Sequence, residues 1–339
     1  MFNLSHLGPV ACSNRFSALA MDEAVDQYPS DSLKESEIQL KKDFVFSKRT
    51  YVGELHKKWQ FPSDHLPIGA RINDFQIVSW NVLNNTHMNW VTVKDSQGLN
   101  HSMISDFNVV IQPDGLTRRN QFIIEMIEAM MKNSHQVITL QECGLPFIHQ
   151  LEKALPRDWR LIKMSYTRPD QCTVLFNSTF FSSRSDLAVY EIHGYPRCPS
   201  NYLKPIQNVV LQKRDSTHQI VSLFNAHIPG DAHLLWKEDF ASYVFKNIKA
   251  NQVTIAIGDH NFERHEMLKA YQQAGFHLDG FIFHTPWRTN IDPASKEAKG
   301  IDHIFVKGAD SSISLDPDEI IEGCRLKETI SLLHTPATT

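Results

Sequence analysis

The chain has 339 residues, 34 of them basic and 38 acidic, for a net charge of −4, with 42% hydrophobic and 21% charged residues. That length can bury a sizeable core, as one large domain or two modest ones, and the composition is that of an ordinary globular protein. The slight acidic excess argues against a protein that grips long duplex nucleic acid by bulk charge, but not against an enzyme that engages one or two phosphates.

Residues 1–36 are polar and acidic from Met21 onward and read as a tail or loosely docked extension. Residues 37–339 are expected to form a single domain. The N-terminus lacks the basic start and the long apolar stretch of a signal peptide. No apolar run reaches the length of a membrane span, so no transmembrane segment is expected. The five cysteines, Cys12, Cys143, Cys172, Cys198 and Cys324, are widely spaced with no Cys-x-x-Cys pair, which speaks against a disulfide framework or a structural zinc site. The expected location is therefore the cytoplasm, with a specialised export signal left open.

Lys42 to Val52 alternates enough to be a strand. Leu66 to Ile72 and Phe75 to Trp80 are two further β-like runs around Asn73-Asp74, which predicts a hairpin. Such a hairpin returns Asp64-His65 and Asn81 to one end of a sheet. A long polar insertion at about 84–115 follows, of a length usually found in binding loops or disordered segments. Apolar residues at Phe122, Ile123, Met126, Ile127 and Met130 have helical spacing over Arg118 to Met131. They lead into a buried-strand pattern at Gln136 to Leu140, then a second helix over Phe147 to Leu155.

Strand-like runs come next at Arg160 to Met164, Cys172 to Asn177, Leu187 to Ile192, Gln207 to Gln212 and Ile220 to Phe224. Leu234 to Ile248 is a helix pattern, Val253 to Ile257 a strand, Glu266 to Ala274 a helix and Ile301 to Val306 a strand. The rest is weakly patterned. Interspersed helices among more numerous strands favour a sheet-rich α/β sandwich.

Polar residues recur where these strands end: Asp64, His65, Asn81, Glu142, Asn225, His227, Asp259, Asn261 and Asp302. Any one of them alone is ordinarily a turn former or cap. Together they form a hard, oxygen-rich set with histidines and no thiolate, which is ligand chemistry for Mg²⁺ or Mn²⁺. Cys143, beside Glu142, reads as a small buried residue rather than a nucleophile. Trp287 and Arg288 could stack on a base or hold a phosphate, but loop packing is the ordinary use of such a pair.

Six local strings resemble those of the endonuclease/exonuclease/phosphatase superfamily of metal-dependent phosphoesterases. They are Ser79-Trp80-Asn81-Val82-Leu83, Leu140-Gln141-Glu142, Asn225-Ala226-His227-Ile228-Pro229, Gly258-Asp259-His260-Asn261, Ile301-Asp302-His303-Ile304-Phe305-Val306 and Ser63-Asp64-His65-Leu66-Pro67. The first five stand in the family's order over Phe75 to Val306. The sixth comes last in the family and first here, which looks like a circular permutation. A rival string, Leu332-Leu333-His334-Thr335-Pro336, lies where an unpermuted motif would fall, but it lacks the Asp.

The resemblance implies a four-layer α/β/β/α sandwich of two mixed β-sheets flanked by helices, circularly permuted, and a phosphoester hydrolase using Mg²⁺ or Mn²⁺. It implies metal ligands Glu142, Asp64 and Asn81. Phosphate contacts would come from Asn81, Asn261, His227 and His65. Catalytic roles would fall to His65, His227, Asp259, Asn261 and Asp302, with Asp302 orienting His65 and the division of acid and base duties left open.

Phosphoryl transfer needs such parts: an oriented water, a cation on the developing charge and donors around the phosphoryl oxygens. The first expectation for substrate is a nucleic acid (RNA or single-stranded DNA), as in the deadenylase-like branch of the family. Inositol phosphates and sphingolipids are the alternative. A non-catalytic binding module on the same fold is a further one, disfavoured because degenerate relatives usually lose the metal Glu or the catalytic His.

Overall fold

The computed structural model describes residues 63–87, 92–94, 100–102, 118–164, 170–184, 206–228, 235–278, 280–285, 289–291, 298–315 and 320. The polar tail, the strand expected at Lys42 to Val52, the strand expected at Leu187 to Ile192, the Trp287-Arg288 pair and His334 lie outside these residues.

Two six-stranded sheets carry the architecture. The first runs, edge to edge, β16 (Ser312–Leu315), β1 (Ile68–Ile72), β2 (Phe75–Asn81), β5 (Val137–Cys143), β7 (Gln171–Asn177) and β6 (Trp159–Lys163). The second runs β12 (Phe281–His284), β15 (Asp302–Lys307), β11 (Gln252–Asp259), β10 (Ile220–His227), β9 (Ile206–Lys213) and β8 (Phe181–Ser183). Two short ribbons stand apart, β3 (Thr92–Lys94) with β4 (Asn100–Ser102) and β13 (Asn290–Ile291) with β14 (Ala298–Lys299). The first ribbon lies within the expected polar insertion. Both main sheets are mixed: β2 is parallel to β5 and β10 to β11, while the other pairings within them are antiparallel.

Alternation along the strands sorts the side chains into three apolar layers. Between the sheets, Ile77, Val137 and Val174 of the first meet Val209, Leu223, Ile255 and Ile304 of the second. On the outer face of the first sheet, Val78, Trp80 and Leu140 pack against Ile123, Ile127 and Met130 of α1 (Arg118–Lys132) and Phe147 of α2 (Leu145–Ala154). On the outer face of the second, Phe224, Ala256 and Phe305 pack against Phe240 of α3 (Leu235–Asn247) and Ala270 of α4 (Arg264–Gln273). Helix, sheet, sheet, helix is the expected order of layers.

The hairpin forms as expected. Ile72 faces Phe75 across a two-residue turn. Asn73 holds φ of 53°, a left-handed conformation that Asn tolerates well. Its side-chain oxygen accepts from the backbone N–H groups of Asp310 and Ser311. Next to it, Asp74 meets the buried Lys213 amine at 2.7 Å, so the turn of one sheet is tied to the end of β9 in the other. The short strands β8, β12 and β16 go beyond the expected set. Each has three or four residues, too few for alternation to register in the sequence.

Candidate active site

Strand periodicity brings the polar strand ends together. On β10, Val221 and Leu223 face the other sheet, so Asn225 and His227 fall on that same inner face. On β11 the parity of Val253, Ile255 and Ile257 carries Asp259 inward, and on β15 that of Ile304 and Val306 carries Asp302 inward. Register completes the row, since His227 pairs with Asp259 and Asp259 with Asp302. The same rule turns His260 and His303 to the outer face. There the His260 ring lies 5.1 Å from that of Phe240, and His303 contacts the Phe262 carbonyl.

Gly258 permits the close approach of β10 and β11 beside this row. Its φ is 134°, and a Cβ there would sit 2.1 Å from the Ala226 carbonyl oxygen.

Glu142 breaks the parity of its strand. Ile138 and Leu140 face the helices, and simple alternation would send Glu142 the same way. Between Leu140 and Cys143 the pairing with β7 shifts register, and Glu142 takes φ of 56°. The irregularity re-aims the side chain, a use for which such kinks are known near active sites. A non-glycine residue in this conformation stores roughly 1–3 kcal/mol of strain. The carboxylate thereby meets Asn81, whose amide nitrogen donates to Glu142 Oε1 at 3.0 Å and to Asp259 Oδ2 at 2.9 Å. One side chain thus bridges carboxylates of both sheets. The amide oxygen of Asn81 accepts from the Leu83 N–H at 2.9 Å.

His65 enters from the start of the hairpin. Its Nδ1 lies 2.9 Å from Asp302 Oδ2, and its Nε2 lies 2.7 Å from Asn290 Nδ2 and 3.5 Å from Asp259 Oδ2. The Trp80 indole donates to the His65 carbonyl at 2.9 Å. Leu66 N–H donates to the Thr289 carbonyl at 2.7 Å, and Ser63 Oγ donates to the Asn81 carbonyl at 2.7 Å. The motif is therefore fixed to both sheets. His227 Nε2 stands 3.4 Å from Glu142 Oε1 and 3.6 Å from Asp259 Oδ2. Asn261, at φ of 54°, caps Asp259 through its backbone N–H at 2.9 Å.

Crowded acids and loss of water dominate the electrostatics. Burial, reinforced by the Asp302 and Glu142 carboxylates and opposed by His65, pushes Asp259 up to about 7. Burial also raises Asp64, with His65 opposing and Glu142 reinforcing. For His65, burial disfavours the charged ring, but Asp302, Asp259 and Asp64 outweigh it and hold its pKa well above the usual value. Cys143 is fully buried and its thiol is held protonated by that burial, so it is no nucleophile.

Ligand atoms of Glu142, His227 and Asp259 lie within 4.8 Å of one another, as do those of His65, Asp259 and Asp302. The donors are carboxylates and imidazoles without thiolate, a set able to hold a divalent cation. A cation there would also oppose the burial and the carboxylate repulsion that raise Asp259. The residues present fit such an ion.

Asp64, His65, Asn81, Glu142, His227, Asp259, Asn261 and Asp302 lie around this rim. Asp64 belongs to neither ligand grouping; it stands 3.4 Å from Asn290 Nδ2 and 4.0 Å from His65 Nε2. Asn225 sits below the rim as a buried amide that accepts from Gln141 Nε2 at 2.8 Å.

Sequence reasoning missed His87, Asn84, Asp170 and Asn290. His87 Nδ1 lies 2.8 Å from Glu142 Oε2, and Asn84 N–H donates to the same oxygen at 3.2 Å. None of the four sits at the end of a long apolar run, so no periodic signal marked them. The buried Arg119, which donates to the Val82 carbonyl at 2.9 Å and to Asn85 Oδ1 at 2.7 Å, holds the turn that carries His87.

The fold is similar to several solved structures. One is an endonuclease/exonuclease/phosphatase family protein from Bacteroides thetaiotaomicron, at 17% identity over 71% of this chain and 84% of that one, with a TM-score of 0.49. Another, from the same organism, is a mannosyl-6-phosphatase, at 17% identity over 69% of this chain and 85% of that one, with a TM-score of 0.46. A third is a humanized D. rerio TDP2, at 13% identity over 75% of this chain and 87% of that one, with a TM-score of 0.45. No family model and no curated protein sequence matches the chain.

Proposed function

We propose that this chain is a divalent-metal-dependent phosphoester hydrolase of the endonuclease/exonuclease/phosphatase kind, with its His65 motif moved to the front by circular permutation. One observation carries the reading: His65 and Asp302, 237 residues apart, pair at 2.9 Å beside Asn81, Glu142, His227 and Asp259. The permutation is supported by neighbouring strands. Gly69, near the start of β1, lies beside the end of β16 at Leu315, so the family's order needs only a connection there and a break at Asn73-Asp74.

A bound divalent ion would be held by Glu142 beside His227 and Asp259, with Asp64 and Asn81 as the further ligands that the resemblance implies, and would supply charge neutralisation at the phosphoryl group. The protein's own residues do the rest. Asp259, fixed by Asn81 and Asn261, orients and deprotonates the attacking water. His227 and Asn261 hold phosphoryl oxygens. His65, held in one orientation by Asp302, binds phosphate and exchanges the proton of the departing oxygen.

The substrate we propose is a nucleic-acid phosphodiester. Beside Glu142 opens a pocket of about 380 Å³ lined in part by Val82, Leu83, Ile123, Leu145 and Phe147, with room for an apolar or planar group attached to the phosphate. Single-stranded RNA, single-stranded DNA and inositol phosphates assayed side by side with Mg²⁺ or Mn²⁺ test the reading. Turnover on RNA or DNA that disappears in Glu142→Ala, in Asp259→Ala and with chelator is expected. Turnover that survives all three overturns the mechanism, and preference for inositol phosphates moves the substrate class.

A further inference from the structure

Glu142 is held from behind by a closed ring of contacts that no motif includes. Its Oε2 receives the Asn84 backbone N–H at 3.2 Å and faces His87 Nδ1 at 2.8 Å. The other ring nitrogen of His87 faces Asp170 Oδ2 at 3.3 Å. The second oxygen of Asp170 receives the Asn84 side-chain amide at 2.8 Å, and Asn84 Oδ1 in turn accepts the Thr86 N–H at 3.1 Å. The circuit runs Glu142, His87, Asp170, Asn84 and back to Glu142. It joins the bulged end of β5, the single turn at 85–87 and the residue preceding β7.

The ring has a direction. Both contacts from Asn84 and His87 fall on Oε2, whereas Asn81 and His227 approach Oε1, the oxygen turned toward Asp259. A carboxylate in the strained backbone conformation of Glu142 has no regular strand neighbours to fix its rotation. Two donors on one oxygen do so.

We propose that His87, braced by Asp170, is a positioning residue that locks Glu142 to present Oε1 alone to the metal ion. This rests on the metal-dependent reading above. Partners that orient a carboxylate ligand are commonly worth about 10–100-fold in metal affinity. The bracing explains why an imidazole with a carboxylate at each nitrogen stands at the site when the resemblance assigns it no role.

The test is Mn²⁺ binding to the full chain without substrate, by calorimetry and by the electron paramagnetic resonance of free Mn²⁺. The proteins are wild type, His87→Ala, His87→Gln, Asp170→Asn and Glu142→Ala, each checked for folding by circular dichroism and thermal midpoint. His87→Ala is expected to weaken Mn²⁺ binding by about 10–100-fold. Asp170→Asn should weaken it less, and His87→Gln, whose amide can still donate to Oε2, should recover part of the loss. Wild-type affinity in folded His87→Ala overturns the proposal while leaving the metal site intact. Tighter binding in that variant overturns it too, because His87 would then compete with the ion. If His87→Ala is not folded, equal affinity in wild type, His87→Gln and Asp170→Asn overturns it. Wild type that binds no Mn²⁺, or Glu142→Ala that binds as wild type does, overturns the metal reading and this inference together.

Discussion

His65 Nδ1 and Asp302 Oδ2 meet at 2.9 Å across the junction of two sheets, with both side chains almost wholly buried. A buried carboxylate on one ring nitrogen fixes which nitrogen faces the substrate, and it stabilises the charged ring. Replacing either partner undoes both effects. We expect His65→Ala and Asp302→Asn each to lower kcat/KM by about 10²–10⁴-fold. The double variant should fall no more than about tenfold below the worse single one, because groups that act as a unit are not additive. Steady-state kinetics on the four proteins measures it, and full additivity would show the two acting separately.

Gly258 offers a test of how the site is built. A Cβ at this position would lie 2.1 Å from the Ala226 carbonyl oxygen, on the backbone of the neighbouring parallel strand. Backbone cannot move aside as a side-chain tip can. Gly258→Ala is expected to cost about 3 kcal/mol or more, combining overpacking with a φ unsuited to a side chain. Denaturant unfolding reads the loss. A change under 1 kcal/mol would mean that β10 and β11 separate more easily than their register implies.

Acid should destabilise the fold through buried neutral histidines. His135 is buried, its Nδ1 has no hydrogen-bond partner, and burial lowers its pKa to about 4. Below pH 6.5 the unfolded chain takes up a proton there that the folded chain refuses until about pH 4. The stability this group contributes is therefore complete above pH 6.5 and is lost as pH falls toward 4. The loss amounts to about 3 kcal/mol. Unfolding free energies measured from pH 7 to 4 should fall less steeply in His135→Leu than in wild type. Equal slopes would show that the ring is charged in the folded state.

The rearranged order of the chain makes a prediction about connectivity. Asn73-Asp74 is a turn at the edge of the hairpin, with Asp74 exposed. A chain that begins at Asp74 and ends at Asn73, with the old ends joined by a long Gly-Ser linker, should fold and retain metal-dependent turnover within about tenfold. Exposed turns tolerate such cuts. An insoluble or inactive product would show that the covalent hairpin is needed to bring His65 to Asn81.

Much of this site was legible in the residues because it is built at strand ends. Val221 and Leu223 predict the facing of His227, and Ile304 predicts that of Asp302, from a period of two alone. The hairpin was equally plain, since Asn73-Asp74 interrupts two apolar runs. Glu142 was found by its string, but its orientation was not: parity points it at the helices, and only the bulge with its positive φ turns it around. His87 and Asp170 escaped for a related reason. They contact Glu142 from a single turn and from the residue before a strand, where no repeat relates sequence spacing to direction. The short strands β8, β12 and β16 were missed because three or four residues cannot establish an alternation.

The amide of Asn81 reaches from the first sheet to Asp259 on the second, and that bond fails within a few tenths of an ångström. Chemistry at the rim is thereby made a caliper on the thickness of the apolar layer beneath it. A bulkier residue at Val209 or Leu223, far below the opening, would wedge the halves apart and dim turnover while the molecule still stood folded.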